Sequence, residues 1–316
     1  ESANPGSPTV GYTAGAWTCT NNGQSATVTN NRVPVGLGDN VICEITNSAT
    51  ALGYKVVKSS QITGKPGPGG TVLPGGEVTY TLTVSKSGGV DGPVKVEDNL
   101  SQVLNHASYV AGSISTGNGS ASITGNTLTW DLVKLTSAGA TLTYKVKVAG
   151  DAWDVVLHNA ITPKTPGGSC ETKCSTDNPT PKKPKLTLVK NVNHNETGDT
   201  AVAADWDLKA GDNPSVKSGT TIALEPGAYG LTESGGKVGY NLAGWRCTNY
   251  EEGSAFVPES TVSLAAGDDV TCAAYNVAQA SKYTIAKTAD PASGAAVSPG
   301  QEITYTITLT HTGGVK

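Results

Sequence analysis

The stretch Ala228–Asn249, AYGLTESGGKVGYNLAGWRCTN, decides how the rest of this 316-residue chain is read. It reads as two strands around a Gly-rich turn. Tyr229 and Leu231 alternate with small or polar neighbours, as a half-buried strand requires. Glu233 stands at the mouth of the turn, and Tyr240, Leu242, Trp245 and Cys247 follow it. A carboxylate beside that much aromatic surface is unusual for a plain exposed strand. The stretch also occurs twice. Glu1–Asn21, ESANPGSPTVGYTAGAWTCTN, repeats it from the acid onward, with a longer turn.

Working outward, the repeat extends. GDDVTCAAYN (267–276) follows the second copy and GDNVICEITN (38–47) follows the first. A different pair is interleaved with these. GYKVVKSSQI (53–62) matches KYTIAKTADP (282–291), and GGEVTYTLTVSKSGGV (75–90) matches PGQEITYTITLTHTGGV (299–315). The offset is between 225 and 229 residues in every pair, so two kinds of domain alternate. The expected parts are the back of a first-type domain over 1–50 and a complete second-type domain over 54–162. A Pro-rich linker with a C-x3-C motif (163–185), a complete first-type domain (186–279) and the front of another second-type domain (282–316) follow. Both ends fall inside a domain, and residue 1 is Glu, so a longer natural chain is expected.

The strands expected in the first segment are Tyr12–Thr20 and Asn40–Asn47, with Val28–Val35 between them. In 54–162 they are Glu77–Ser85, Gly92–Asp98, Ser108–Ile114, Ala121–Thr124, Thr127–Leu132, Ala140–Ala149 and Val155–Thr162. In EVTYTLTVS, Val78, Tyr80, Leu82 and Val84 all face one way. In 186–279 the strands are Leu186–Lys190, Ala203–Leu208, Thr220–Leu224, Ala228–Glu233, Tyr240–Cys247, Phe256–Leu264 and Asp269–Val277. Short strands at this spacing predict an all-β fold of tandem immunoglobulin-like or prealbumin-like sandwiches.

Composition narrows the function. Charged residues make up only 15%, Phe occurs once and Met never, so Val, Ile, Leu, Tyr and Trp must fill the cores. A formal net charge of −4 with no basic patch argues against nucleic acid as a partner. No apolar run is long enough to cross a membrane. The six cysteines pair naturally: Cys19 with Cys43, Cys247 with Cys272 at almost the same spacing, and Cys170 with Cys174. Matched spacing in duplicated segments indicates disulfides and an oxidising, extracellular setting. The four histidines are scattered, so no metal site and no cofactor are expected. Asp268–Asp269 reads as a turn, because a hard cation takes roughly six to eight oxygens. Tyr240 and Trp245 read as core.

Lys190 ends the first strand of the complete first-type domain, and Asn276 lies in its last strand. First and last strands of a sandwich often lie side by side. A buried Lys loses its charge and a buried Glu holds its proton, because desolvation disfavours both ions. A neutral Lys190 amine could then attack the Asn276 carboxamide while Glu233 moves the protons. The product is a Lys–Asn amide with loss of ammonia, formed once, in cis and without a cofactor.

LTLVK (186–190), YGLTE (229–233) and YN (275–276) resemble the SpaA-like, or collagen-adhesin B-type, prealbumin domains of Gram-positive pilins and adhesins. The GWxCTN…GDDVxC form resembles their actinobacterial branch. The resemblance implies an isopeptide bond between Lys190 and Asn276, catalysed by Glu233. In the N-terminal copy Glu1 and Asn47 match, with their Lys expected upstream. Residues 54–162 resemble the widespread bacterial surface repeat DUF11 and the isopeptide-forming D2 domain of fimbrial proteins. This implies a bond between Lys58 and Asn159 with Asp98 as the acid. Glu97 could replace Asp98, although strand alternation lets only one of them face inward. Lys287 matches Lys58, with its Asp and Asn partners expected beyond Lys316.

Together these readings predict a structural repeat region of a bacterial surface stalk, fibre or adhesin, in the cell wall or on a surface appendage. Its partners would be neighbouring repeats or identical subunits, and host or environmental surface ligands. Apart from self-crosslinking, no enzyme activity is expected. The alternative is an adhesin module that binds host matrix or glycan.

Overall fold

Alternation of inward apolar and outward polar residues builds the strands around two hydrophobic cores. The structure, a computed structural model, describes residues 11–247 and 260–315. It is all-β, and it divides into two units at Pro181–Lys182.

In the first unit, β1 (Tyr12–Asn21), β2 (Gln24–Ala26) and β3 (Val41–Ala49) form a sheet in the order β2-β1-β3. Val28–Val35, expected as a strand, is not one. Thr29 and Arg32 exchange backbone hydrogen bonds, and Asn30 and Asn31 between them take positive φ, 50° and 57°. Asparagine tolerates that left-handed turn, and a strand cannot contain it.

The second-type domain continues the same unit. Its strands are β4 (Gly53–Pro66), β5 (Val72–Gly88), β6 (Gly92–Asn99), β7 (Ala107–Tyr109), β8 (Ser115–Thr116), β9 (Ser120–Thr124) and β10 (Thr127–Leu135). Then come β11 (Ala140–Val148), β12 (Val156–Pro163), β13 (Gly168–Cys170) and β14 (Ser175–Pro179). One sheet runs β13-β4-β5-β11-β7, with β8 also on β11, and the other runs β14-β12-β6-β10-β9. Tyr54, Val56, Val78, Tyr80, Leu82 and Val84 from the first sheet bury against Val94, Val96, Leu128, Trp130 and Leu132 from the second. Such burial, at about 25 cal/mol per Å² of apolar surface, is the main stabilising term. The strand expected over Ser108–Ile114 is reduced to β7.

Residues 163–185 are not simply a linker. β13 pairs in parallel with β4 at one sheet edge, and β14 pairs with β12 at the edge of the other sheet. The Cys170–Cys174 disulfide spans the crossover between them. Edge strands lack one hydrogen-bonding neighbour and so tolerate proline nearby. This is how a Pro-rich segment enters both sheets.

The second unit holds the complete first-type domain. Its strands are β15 (Lys185–Asn193), β16 (Trp206–Ala210), β17 (Thr220–Ala223), β18 (Gly227–Gly235), β19 (Tyr240–Cys247), β20 (Thr261–Leu264) and β21 (Asp269–Ala278). One sheet is β17-β15-β21-β19, and the other is β16-β18-β20. β15 and β21, the first and last strands, are adjacent and parallel. The expected Ala203–Leu208 strand starts at Trp206, after a short 3-10 turn over Ala203–Asp205. Part of the expected Phe256–Leu264 strand lies outside the described residues. The two strands of Ala228–Asn249 do not pair with each other: β18 belongs to one sheet and β19 to the other.

β22 (Lys282–Asp290) and β23 (Thr304–Gly313) form a two-stranded sheet that reproduces the β4–β5 pairing. Ala289 faces Tyr305 as Ser60 faces Tyr80, and Lys287 faces Ile307 as Lys58 faces Leu82. Ile285, Ile307 and Leu309 are exposed here, whereas the matching Val56, Leu82 and Val84 are buried.

The joint between first-type and second-type segments also recurs. Thr50 N–H donates to Gly11 O and Val90 N–H to Thr50 O; in the second unit Gln279 N–H donates to Gly239 O and Val315 N–H to Gln279 O. Gly89 and Gly314 close the two joints with φ of 69° and 79°. A Cβ on either would lie 1.9 or 2.0 Å from a backbone oxygen, that of Ala51 or Ala280. Only glycine fits both the conformation and the space.

Candidate self-crosslinking sites

Each site is built by placing a polar residue where strand alternation demands an apolar one. In β15 the inward positions are Leu186, Leu188 and Lys190, and in β21 they are Val270, Cys272, Ala274, Asn276 and Ala278. The alternation therefore carries Lys190 and Asn276 into the sandwich on neighbouring strands. Glu233 reaches them from β18 in the facing sheet. Its Oε2 accepts a very short hydrogen bond from Lys190 Nζ, and its Oε1 accepts one from Asn276 Nδ2 at 2.7 Å. The Lys190 side chain is fully buried, and that of Glu233 is 11% exposed. Burial holds the Lys190 ammonium below its usual pKa, and the Glu233 carboxylate works against that shift. The Trp206 ring covers the amine, its centroid 4.6 Å from Nζ.

In the second-type domain the same substitution occurs on three strands. The inward positions of β4 are Tyr54, Val56 and Lys58, those of β6 are Val94, Val96 and Asp98, and those of β12 are Leu157, Asn159 and Ile161. Lys58 and Asp98 are fully buried and joined by a very short hydrogen bond. Here Lys and Asn stand on opposite sheets, so a bond would join the two layers; in the first-type domain it would join neighbours within one. Glu97 faces outward and pairs with Lys164 at 2.9 Å, so Asp98 is the acid that faces Lys58.

Desolvation pushes the Lys58 pKa down to about 8, with the Asp98 charge opposing the shift. Desolvation also raises the Asp98 pKa, against the pull of Lys58. Both shifts favour the uncharged amine and acid that amide exchange requires. The Tyr144 hydroxyl sits among the three residues. It donates to Asp98 Oδ2 at 2.6 Å, and it accepts from Asn159 Nδ2 at 2.6 Å and from Lys58 Nζ at 3.3 Å. Tyr80 stacks beside it, with ring centroids 5.3 Å apart, and Lys58 Nζ lies 4.8 Å from the Tyr80 centroid.

Sequence reasoning did not find Tyr144, Tyr80 or Trp206. The two tyrosines occupy inward positions in strongly alternating strands and read as ordinary core. The available signal was the phenol itself, since a buried Tyr hydroxyl usually finds a polar partner.

The partial copies are incomplete. Glu1 lies outside the described residues. Asn47 is on β3, opposite Ala14, where Asn276 stands opposite Leu242. Lys287 is exposed on β22, its Nζ 4.2 Å from the centroid of Tyr305, the counterpart of Tyr80. The three disulfides match the spacing expectation: Cys19–Cys43, Cys170–Cys174 and Cys247–Cys272. Among the described residues no cluster of His, Cys, Asp or Glu could hold a metal, and no helix is long and apolar enough to cross a membrane. Asp268 accepts from Ala265 N–H at 2.7 Å, closing a turn.

Comparison with known proteins agrees with the division into two domain types. Residues 2–45 and 181–274 match the family model of a prealbumin-like fold domain, which supports reading both first-type segments as SpaA-like. Residues 53–185 match a domain of unknown function, DUF7927, whose span includes β13 and β14. No curated protein matches. Among solved structures, the T6 backbone pilin of serotype M6 Streptococcus pyogenes is 12% identical with a TM-score of 0.35; the match covers 84% of this chain and 63% of that pilin. The full-length major pilin SpaD of Corynebacterium diphtheriae is 12% identical over 85% of this chain and 89% of its own, with a TM-score of 0.32. A Mobiluncus mulieris adhesin containing intramolecular disulfide, isopeptide and ester cross-links is 12% identical over 71% of this chain and 99% of its own, with a TM-score of 0.28.

Proposed function

We propose that this chain is part of the repeat region of an extracellular bacterial surface stalk, fibre or adhesin, whose domains lock themselves with Lys–Asn isopeptide bonds. The second domain type is read as DUF11-like and isopeptide-forming. The carrying observation is that two differently built domains each bury a Lys, an acid and an Asn in mutual contact, at positions where apolar residues would pack. Burying an ion pair without further use is poor stabilisation, since well-packed apolar residues often do as well or better. A site that consumes its own Lys and Asn resolves that.

In the first-type domain, neutral Lys190 Nζ attacks Asn276 Cγ. Glu233 receives the proton from Nζ and delivers one to Nδ2, and the Cγ–Nδ2 bond breaks to release ammonia. The domain acts once on itself, so the chain has no turnover and needs no cofactor. The disulfides fit an oxidising exterior, and identical subunits or neighbouring repeats are the natural partners of such a shaft. Intact mass under reducing conditions tests the reading. The purified chain should lack one ammonia for each complete site, and digestion should yield a peptide pair joining Lys190 to Asn276. A chain of full calculated mass sinks the proposal.

A further inference from the structure

The two sites solve the same proton problem with different parts. In the first-type domain one Glu233 carboxylate touches both the attacking and the leaving nitrogen, through Oε2 and Oε1. In the second-type domain the acid is one methylene shorter. Asp98 Oδ2 holds Lys58, Asp98 Oδ1 has no hydrogen-bond partner among the described residues, and Asn159 Nδ2 is held by Tyr144 instead. The Tyr144 hydroxyl bridges the gap, 2.6 Å from Asp98 Oδ2 on one side and 2.6 Å from Nδ2 on the other.

We propose that Tyr144 is a catalytic residue of the second-type domain, relaying a proton from Asp98 to the departing Asn159 nitrogen. This rests on the self-crosslinking reading above. Starting from neutral Lys58 and protonated Asp98, Nζ forms a bond to Asn159 Cγ. The tetrahedral carbon makes Nδ2 an amine with a free lone pair. Tyr144 gives its hydroxyl proton to Nδ2 while its oxygen takes the proton of Asp98. Asp98 then takes a proton from Nζ, the Cγ–Nδ2 bond breaks, and ammonia leaves. Tyr144 and Asp98 end as they began. Burial beside Asp98 raises the Tyr144 pKa, so the phenol passes its proton on without persisting as a phenolate.

Geometry also explains why the relay belongs to this site alone. Across β5–β11, Tyr80 stands directly opposite Tyr144, but the hydroxyl that lies within 2.6 Å of both Asp98 Oδ2 and Asn159 Nδ2 is that of Tyr144. In the first-type domain the position over the amine is taken by Trp206, which is not needed for relay because Glu233 reaches both nitrogens.

The test is synthesis of the full chain in a reconstituted translation system, with each cross-linked peptide followed by mass over time. Tyr144→Phe keeps the ring and removes the hydroxyl. It should slow the Lys58–Asn159 bond about 100-fold or more, the usual worth of a placed acid–base group. The Lys190–Asn276 bond in the same molecules should form at the normal rate and serves as the internal clock, while recovery of the Lys58–Asn159 bond in the double variant below reports that the mutated domain folds. Adding Asp98→Glu to Tyr144→Phe should restore much of the lost rate, because the longer carboxylate reaches Nδ2 as Glu233 does in the other domain. A normal rate in Tyr144→Phe overturns the relay while leaving the crosslink intact. Slow bond formation that Asp98→Glu does not recover also counts against the relay and assigns Tyr144 a packing role. Absence of the Lys58–Asn159 bond in the wild-type chain overturns both readings of this domain.

Discussion

Asn276 stands two positions beyond Ala274, the register partner of Lys190 on the neighbouring parallel strand, and the two oxygens of Glu233 touch both side chains. The parallel register is what makes the arrangement possible. Two inward positions on adjacent strands present their side chains to the same point of the facing sheet, where β18 supplies the acid.

Glu233→Gln should therefore keep the local shape and lose the chemistry. The amide can accept a hydrogen bond from Lys190 but cannot take up and deliver protons. The variant is expected to retain the ammonia that the wild type loses at this site. Without a closed loop of about 86 residues, chain entropy alone costs the domain about 4.6 kcal/mol. Intact mass and a denaturant midpoint, read on the same sample, check both statements.

Bond formation in the second-type domain should follow a bell in pH. The reactive pair carries one shared proton, as neutral amine and neutral acid. Above the Lys58 pKa of about 8 that proton is lost: the amine is free, but Asp98 has nothing to donate. At acid pH, Asp98 is protonated while Lys58 stays charged, and the amine cannot attack. The lower limb should lie above the ordinary aspartate range, because burial raises Asp98. A rate that keeps climbing well past pH 8 would show that no acid takes part.

Two bond-dead variants should differ in stability. Asn159→Ala removes the electrophile but leaves Lys58 and Asp98 paired. Lys58→Met leaves Asp98 buried without its counter-charge, an additional cost of about 3–5 kcal/mol. The gap should narrow as pH falls, since a raised Asp98 pKa means that the folded state takes up a proton before the unfolded state does. Equal unfolding midpoints at pH 8 would show that Asp98 does not depend on Lys58 as its counter-charge.

Removing the Cys247–Cys272 disulfide by a Ser or Ala pair should destabilise the first-type domain by about 3.5 kcal/mol, from the loss of a loop of about 25 residues. It should leave the Lys190–Asn276 bond able to form. The disulfide joins β19 to β21, and the amide joins β15 to β21. Peptide mapping of the double variant checks the independence of the two links.

Much of the fold was legible because alternation is strong. Val78, Tyr80, Leu82 and Val84 are buried as their spacing requires, and the site triads follow from repeats and resemblance. Three features were hidden. Pro-rich composition masked β13 and β14, because an edge strand needs only half its ladder. Val28–Val35 looked like a strand by composition, but two consecutive Asn residues in left-handed turn geometry decided otherwise. Tyr144 was hidden because its partners Lys58 and Asp98 are 86 and 46 positions away in sequence, and an inward Tyr on a strand looks like any other core residue.

The parallel pairing of β15 and β21 has a mechanical consequence. The chain comes into the first-type domain at the start of one strand and leaves from the end of the other, at opposite ends of the same sheet. Tension on the backbone thus loads these two strands against each other in shear. With Lys190 joined to Asn276, the tension passes from one strand to the next through an amide, and the roughly 86 residues between them stay slack. Such a domain can lose its packing and still not lengthen, so a string of them would hold its reach under load.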